Sequence, residues 1–314
     1  MYRPTPFYTL ANIPPAVYVM PQRPFKQVDV FTNTPFKGNP LAVVLDAEGL
    51  SDEAMQTIAR WTNLSETTFV LPAVVPGADY SVRIFTTDRE FVFAGHPTLG
   101  TAHALLEAGL QPRTPGRLVQ HCGVGLVQIE IGDDGQLAFQ TPPVQIDAFD
   151  EALRSLLAAA LRTEAWHIQL MPARVEMGNR WLVVGLADAQ ACLDVAPDVV
   201  ALHTLLHRAD IHGVAIFGMH RQGVSADIEV RAFLVEQGSL MEDPVTGSAN
   251  GCIAWLLGVN GMMGVAAGRE SYIARQGTKL ERNGMLTVHY RGQTPWIGGH
   301  CKTLIQGVIA ADFH

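Results

Sequence analysis

His96-Pro97-Thr98-Leu99-Gly100-Thr101-Ala102 and Asp243-Pro244-Val245-Thr246-Gly247-Ser248-Ala249 are two versions of one pattern, 147 residues apart. Each has an ionisable residue, then proline, then glycine, a hydroxyl residue and alanine. Two further pairs keep the same order at nearly the same spacing. Val82-Arg83-Ile84-Phe85 is echoed 148 residues later by Val230-Arg231-Ala232-Phe233, and Gly38-Asn39-Pro40-Leu41-Ala42-Val43-Val44 is echoed at 140 by Gly178-Asn179-Arg180-Trp181-Leu182-Val183-Val184. One such match can arise by chance, but three in register point to a duplicated domain.

Working outward from the first motif, proline suits the first position of a helix, so a helix is predicted from Pro97 over Thr98 to Leu110. Its echo spans Val245 to Val259. Both segments are small or apolar on most sides, and a helix without a polar face is buried. Strands rich in Val and Phe are expected at Phe25 to Val30, Pro40 to Leu45, Thr67 to Leu71 and Tyr80 to Phe85. Ser51 can cap a helix from Asp52 to about Trp61, with Asp52 and Glu53 at the end the dipole favours. The expected fold is α+β, with two similar duplicated domains, each a curved, barrel-like β-sheet around a central buried helix. Thr141-Pro142-Pro143, ahead of a helical Asp150 to Leu161, sets the boundary between domains at 26–143 and 144–314, the last strand being free to return to the first domain. Residues 1–25 are rich in proline, hold no apolar run of signal-peptide length and read as an N-terminal extension.

Composition narrows the function. The 314 residues are 48% hydrophobic and 17% charged, which suits substantial cores, and the net charge of −8 without any run of Lys or Arg argues against a nucleic-acid partner. No stretch of 18 apolar residues suggests a membrane span. Cys122, Cys192, Cys252 and Cys301 lack CxxC spacing, which favours free thiols in a reducing cytoplasm. His203 and His207 stand four apart, but no Glu follows His203 and no third ligand is evident, so a metal is not expected. Gly123-Val124-Gly125 lacks the third glycine of a dinucleotide loop, and neither a Gly-X-Ser-X-Gly elbow nor a Walker loop is present.

The motifs themselves suggest an anion site. A helix start offers unpaired N–H donors and a positive dipole end. Two such starts facing one cleft can hold a small carboxylate on the N–H groups and hydroxyls near Gly247-Ser248 and Gly100-Thr101. The plainer alternative is that glycine and serine there only allow close packing. The halves differ at Glu66, which aligns at the same offset of 147 with Gly213. A carboxylate at a helix-to-strand turn beside an apolar sheet can have its pKa raised by desolvation, which suits a group that takes and returns a proton. His96 and Asp243 would flank the cleft and orient or polarise the substrate. Taken singly, Glu66 is also readable as an exposed loop carboxylate, His96 as a satisfied helix-start residue and Asp243 as an N-cap.

Asp29-Val30-Phe31-Thr32, Phe36-Lys37-Gly38-Asn39-Pro40, Asn63-Leu64-Ser65-Glu66-Thr67, Gly95-His96-Pro97-Thr98-Leu99-Gly100, Glu242-Asp243-Pro244-Val245-Thr246-Gly247-Ser248-Ala249 and the late Gly298-Gly299 together resemble the phenazine-biosynthesis isomerase-like family. The resemblance runs from about Phe25 to the C-terminus. It implies a fold similar to diaminopimelate epimerase and proline racemase, with the site between two alike domains. It also implies Glu66 as the acid/base assisted by His96 and Asp243, with Ser65, Gly95, Gly247 and Ser248 binding substrate. No metal or organic cofactor is implied, and homodimers are common in the family. The implied chemistry is an allylic proton shift on a small carboxylate such as a hydroxylated dihydro-anthranilate. A two-base epimerase is a rival, but such relatives carry a cysteine at each central helix start. Here His96 and Asp243 are expected at those starts, and Cys252 lies two turns further on. A binding protein that holds a small acid without turning it over is the other rival.

Overall fold

The computed structural model describes residues 21–236 and 238–311. Most of the expected N-terminal extension, residues 1–20, lies outside the described residues. The rest does not belong to an extension, because the first strand, β1 (Gln22–Val30), begins inside it. The first half continues with β2 (Asn39–Val44), α1 (Asp52–Thr62), β3 (Thr67–Leu71), β4 (Tyr80–Phe85), β5 (Glu90–Phe91), α2 (Gly95–Glu107), β6 (Arg117–Cys122), β7 (Gly125–Ile131) and β8 (Leu137–Gln140). Then follow β9 (Gln145–Ala148), α3 (Arg154–Leu161), β10 (Ala173–Met177), β11 (Asn179–Gly185), α4 (Ala189–Asp194), α5 (Val199–Ala209), β12 (Gly213–Met219), β13 (Ile228–Glu236) and β14 (Ser239–Asp243). The chain ends with α6 (Gly247–Val259), β15 (Ser271–Gln276), β16 (Gly284–Arg291), β17 (Thr294–Gly299) and β18 (Cys301–Ala310).

The strands join into one long mixed sheet. Its pairings run β18-β1-β2-β3-β4-β6-β7-β8-β17-β16-β15-β13-β12-β11-β10-β9, with β5 and β14 as short partners of β4 and β13. From β1 to β8 and from β10 to β17 the alternation of parallel and antiparallel neighbours is identical, and the two series meet antiparallel at β8 and β17. The ends are exchanged: β9 pairs with β10, while β18 lies along the whole of β1, from Gln22 opposite Ala310 to Val30 opposite Cys301.

Helix α2 packs on β1, β2, β3, β8 and β18, α6 packs on β10, β11, β12 and β17, and the two helices touch each other. Both are buried along most of their length because nearly every side chain is small or apolar, leaving no face that prefers water. The outer helices obey the opposite rule. In α1, Met55, Ile58 and Ala59 face Val44, Phe69 and Phe85, and the Ser51 hydroxyl accepts from the Ala54 N–H. Asn63 then turns the chain in a left-handed conformation, which delivers Ser65 and Glu66 to the rim of β3.

Helix α2 starts two residues before Pro97, and α6 starts two residues after Val245. Proline is still tolerated, because the first-turn N–H it lacks would have no intrahelical acceptor. No helix among the described residues is long and apolar enough to cross a membrane.

Candidate active site

The starts of α2 and α6 meet head to head. A Cβ placed on Gly95 would lie 2.8 Å from the Cα and carbonyl carbon of Gly247, and one on Gly247 would lie 2.9 Å from Gly95 Cα. Only glycine permits that approach. The side chains of the N-cap residues, Ala94 and Thr246, cap neither helix, whereas Ser51, Asp188 and Asp198 cap α1, α4 and α5. The first-turn N–H groups of the two central helices therefore remain available to an anion, with both positive dipole ends at one place.

This meeting corrects the alignment of the repeats. Gly95 and Gly247 open helices of 13 residues each, so the true offset here is 152 and the counterpart of His96 is Ser248, not Asp243. The pairs Arg83–Glu90 and Arg231–Glu242 show where the change occurs. The arginines are 148 apart and the glutamates 152, so the β13–β14 hairpin is four residues longer than its counterpart. Asp243 accordingly ends β14, opposite Ala232, and is neither a helix-start residue nor an N-cap.

A cavity of about 500 Å³ opens where the helix starts meet. Glu66, His96, Asp243, Gly95, Gly247 and Ser248 all line it, and so does Ser65. Gly100 and Thr101 do not, because α2 begins early enough to put them in its second turn. A Cβ on Gly100 would point at Leu41 and Val30 in the core, and the Thr101 hydroxyl is spent on Thr68 Oγ1 at 2.8 Å.

Burial sets the charges in the cavity. Glu66 Oε2 lies 3.3 Å from His96 Nε2, and neither atom has another polar partner among the described residues. Desolvation holds the Glu66 carboxyl well above the usual carboxylate range, and Asp243 and Glu236 push it further. Desolvation alone lowers His96 to about 3. At neutral pH the histidine is uncharged, so the contact is not an ion pair. Asp243 is raised to about 6 by burial, against hydrogen bonds from Thr246 (2.6 Å) and Asn39 (2.8 Å) that lower it. Glu66 and Asp243 titrate as a pair, since ionising one opposes ionising the other.

Asn39 is a site residue that pattern reading missed. Fully buried at the start of β2, it donates from Nδ2 to Asp243 Oδ1 and to Val245 O (2.9 Å), with His96 Nδ1 3.3 Å away. It thereby ties the start of β2 to Asp243 and Val245 of the second half, beside His96. Its signal was the Gly-Asn pair repeated at Gly178-Asn179, and Asn179 lines the same cavity. Trp181, Arg282, Glu236, Glu242 and His212 were also missed, and each lines the cavity. Trp181 Nε1 donates to Ser248 Oγ at 3.2 Å. Arg282 reaches across the halves to Phe36 O at 2.8 Å.

The other candidates stand apart. The Nε2 atoms of His203 and His207 are 3.2 Å from each other in an exposed position, and no group of three metal-ligating side chains occurs among the described residues. Cys252 is buried inside α6 with its thiol against Val175 O. Gly123 and Val124 form the turn between β6 and β7, and Gly125 opens β7.

Comparison with known proteins bears on this geometry. The family model described as phenazine biosynthesis-like protein matches residues 28–307. The fission yeast protein named antisense-enhancing sequence 1 is 35% identical over 92% of this chain and 99% of its own. A trans-2,3-dihydro-3-hydroxyanthranilate isomerase of Pseudomonas aeruginosa is 35% identical over 72% of this chain and 77% of its own. Among solved structures, the Bacillus anthracis phenazine biosynthesis protein superposes with a TM-score of 0.78 at 25% identity, covering 92% of this chain and 99% of that one. A hydroxyproline epimerase from Agrobacterium vitis shares the fold at 15% identity, with a TM-score of 0.62 over 92% of each chain.

Proposed function

The chain belongs to the phenazine biosynthesis-like family and is an isomerase, and on that premise we propose that it shifts a proton on a small cyclic carboxylate, using Glu66 as its one acid/base and no cofactor. The observation that carries this reading is the buried Glu66 carboxyl, whose Oε2 lacks a hydrogen-bond partner, on a residue that lines a cavity between two uncapped helix starts. Buried polar atoms without partners are rare in native proteins and call for an explanation. An incoming substrate supplies one.

In the proposed mechanism the substrate carboxylate sits on the N–H groups at Gly95, His96, Gly247 and Ser248 and on the Ser248 hydroxyl, with Ser65 completing the rim. Glu66 takes a proton from the carbon beside the double bond and returns it to the far end of the allylic system on the same face. A carboxyl with a raised pKa is suited to both steps. His96, uncharged, stands against Glu66 with Nε2 3.3 Å from Oε2 and helps keep the carboxyl out of water. Asp243, held by Asn39 and Thr246, keeps negative charge near Glu66 and so favours its protonated form. The family resemblance also supports two duplicated domains, each a barrel-like sheet around its central helix, acting as a homodimer, and the four free cysteines support a reducing cytoplasm.

The test is deuterium exchange in D2O, followed by NMR, on a panel of cyclic hydroxylated and unsaturated acids that includes trans-2,3-dihydro-3-hydroxyanthranilate. Wild type should exchange and isomerise its substrate, and Glu66→Gln should bind it without exchange. A fully active Glu66→Gln would refute the mechanism. Binding without exchange by the wild type would make the protein a carrier of small acids.

A further inference from the structure

The second half cannot carry a carboxylate matching Glu66. Gly213 occupies that position, where a Cβ would lie 2.6 Å from Trp181 Cζ3 and 2.7 Å from Phe233 O. The residue before it, His212, is the counterpart of Ser65, and both line the cavity. The second wall therefore offers an imidazole where the first offers a hydroxyl.

That imidazole is held in place from several directions. Its backbone N–H donates to Arg180 O at 2.8 Å. Its ring meets Phe91 and Trp181 edge to face, with centroids 5.3 and 5.7 Å away. Arg89 Nη2 lies 2.9 Å from Nδ1. A guanidinium only donates, so Nδ1 must accept and the ring proton is on Nε2. Burial, helped by Arg89, lowers His212 to about 4, which keeps the ring neutral in neutral solution. No residue among those described accepts a hydrogen bond from Nε2.

We infer that His212 is a specificity-determining residue that donates its Nε2–H to a substrate oxygen, a hydroxyl or a carboxylate, from the wall built by the second half. It is not a second base, because Nδ1 is engaged by Arg89 and Nε2 already carries the proton. The inference rests on the proposed function for the chemistry of the ligand, while the tautomer follows from the Arg89 contact alone.

Two measurements test it. The first is the nitrogen-15 NMR pattern of the His212 ring, which should show the Nε2–H tautomer in wild type and a mixture in Arg89→Met. The second is calorimetric binding of 3-hydroxyanthranilate and anthranilate, stable aromatic acids of the proposed ring type. His212→Phe keeps the ring but loses the donor, and should weaken binding of one or both about tenfold, the effect of leaving one acceptor unmet. His212→Gln places an N–H near Nε2 and should recover most of that loss. An Nδ1–H tautomer in wild type, a His212→Phe protein that binds both acids like wild type, or equal loss in both variants would each overturn the inference, as would failure of wild type to bind either acid. Glu66→Gln is scored separately by exchange, so loss of exchange in that variant with unchanged binding in His212→Phe would leave the proposed function standing and remove only this residue.

Discussion

Replacing Gly95 with alanine tests whether the meeting of the two helix starts builds the site. The new Cβ would lie 2.8 Å from two backbone atoms of Gly247 and 2.9 Å from Phe139 Cζ. The phenyl ring can tilt, but a helix backbone cannot rotate out of the way. Restoring ordinary contact requires the starts to move apart by roughly 0.6 Å, an overpacking that costs about 1–3 kcal/mol. The displacement falls on the N–H groups proposed to hold the substrate, and a misplacement of ~1 Å can cost about a hundredfold in rate. We expect kcat for proton exchange to fall by about 10- to 100-fold, with a moderate loss of thermal stability. Gly100→Ala is the matched control. It is equally buried in the same helix, but its Cβ meets the side chains of Leu41 and Val30 in the core. It should lose stability while keeping kcat within about threefold. Wild-type turnover in Gly95→Ala, or an equal loss of kcat in both variants, would refute the reasoning.

Asp243→Asn should make the protein more stable near neutral pH and less active. Burial raises Asp243 from 3.8 to about 6, so the folded state holds a proton that the unfolded chain releases, and stability falls as pH rises from about 4 to 6. That loss is on the order of 3 kcal/mol at neutral pH. The difference between wild type and variant in urea unfolding should open across this window, and a difference independent of pH would contradict the assignment. Arg231→Met should destabilise by about 3–5 kcal/mol, since it strands the buried Glu242 carboxylate beside Asp243. The equivalent Arg83→Met, at a partly exposed pair, should cost about 1 kcal/mol or less, and comparable losses on denaturation would show that burial is not the deciding factor.

Local chemistry was legible in the sequence wherever it was sufficient. β3 and β4 follow their Val, Thr and Phe runs to the residue, and α1 starts where Ser51 can cap it. The starts of α2 and α6 were misjudged because proline is a local signal, whereas the true marker is a glycine whose necessity comes from the opposite helix. The repeated motif brought His96 and Asp243 into one site while misaligning them. Their equivalence depended on the length of the β13–β14 hairpin, which no pattern in either motif reports. Trp181 and His212 were illegible for a related reason, and Asn39 showed only as half of a repeated Gly-Asn pair. Each acts through a partner more than 30 residues away: Asn39 on Asp243, Trp181 on Ser248, and His212 under Arg89.

On the proposed mechanism, the duplicated pattern explains why one carboxylate is enough. Equivalent halves would place an acid at both Glu66 and Gly213, giving two bases across one cleft. Instead Trp181, in the register where the first half has Leu41, fills the space that a side chain at 213 would need. The indole has a second use, donating to Ser248 at the start of α6. Losing a second acid also limits the electrostatic cost. Glu66 and Asp243 already oppose each other's ionisation, with Glu236 raising both. A further buried carboxylate would add desolvation that Arg231 could not offset, being committed to Glu242 and three backbone carbonyls. On the proposed mechanism the asymmetry leaves Glu66, with its raised pKa, as the one proton carrier, facing Gly213 and Trp181 where a second base would stand. Such a site favours removal and return of a proton on one face of the substrate over inversion between two faces.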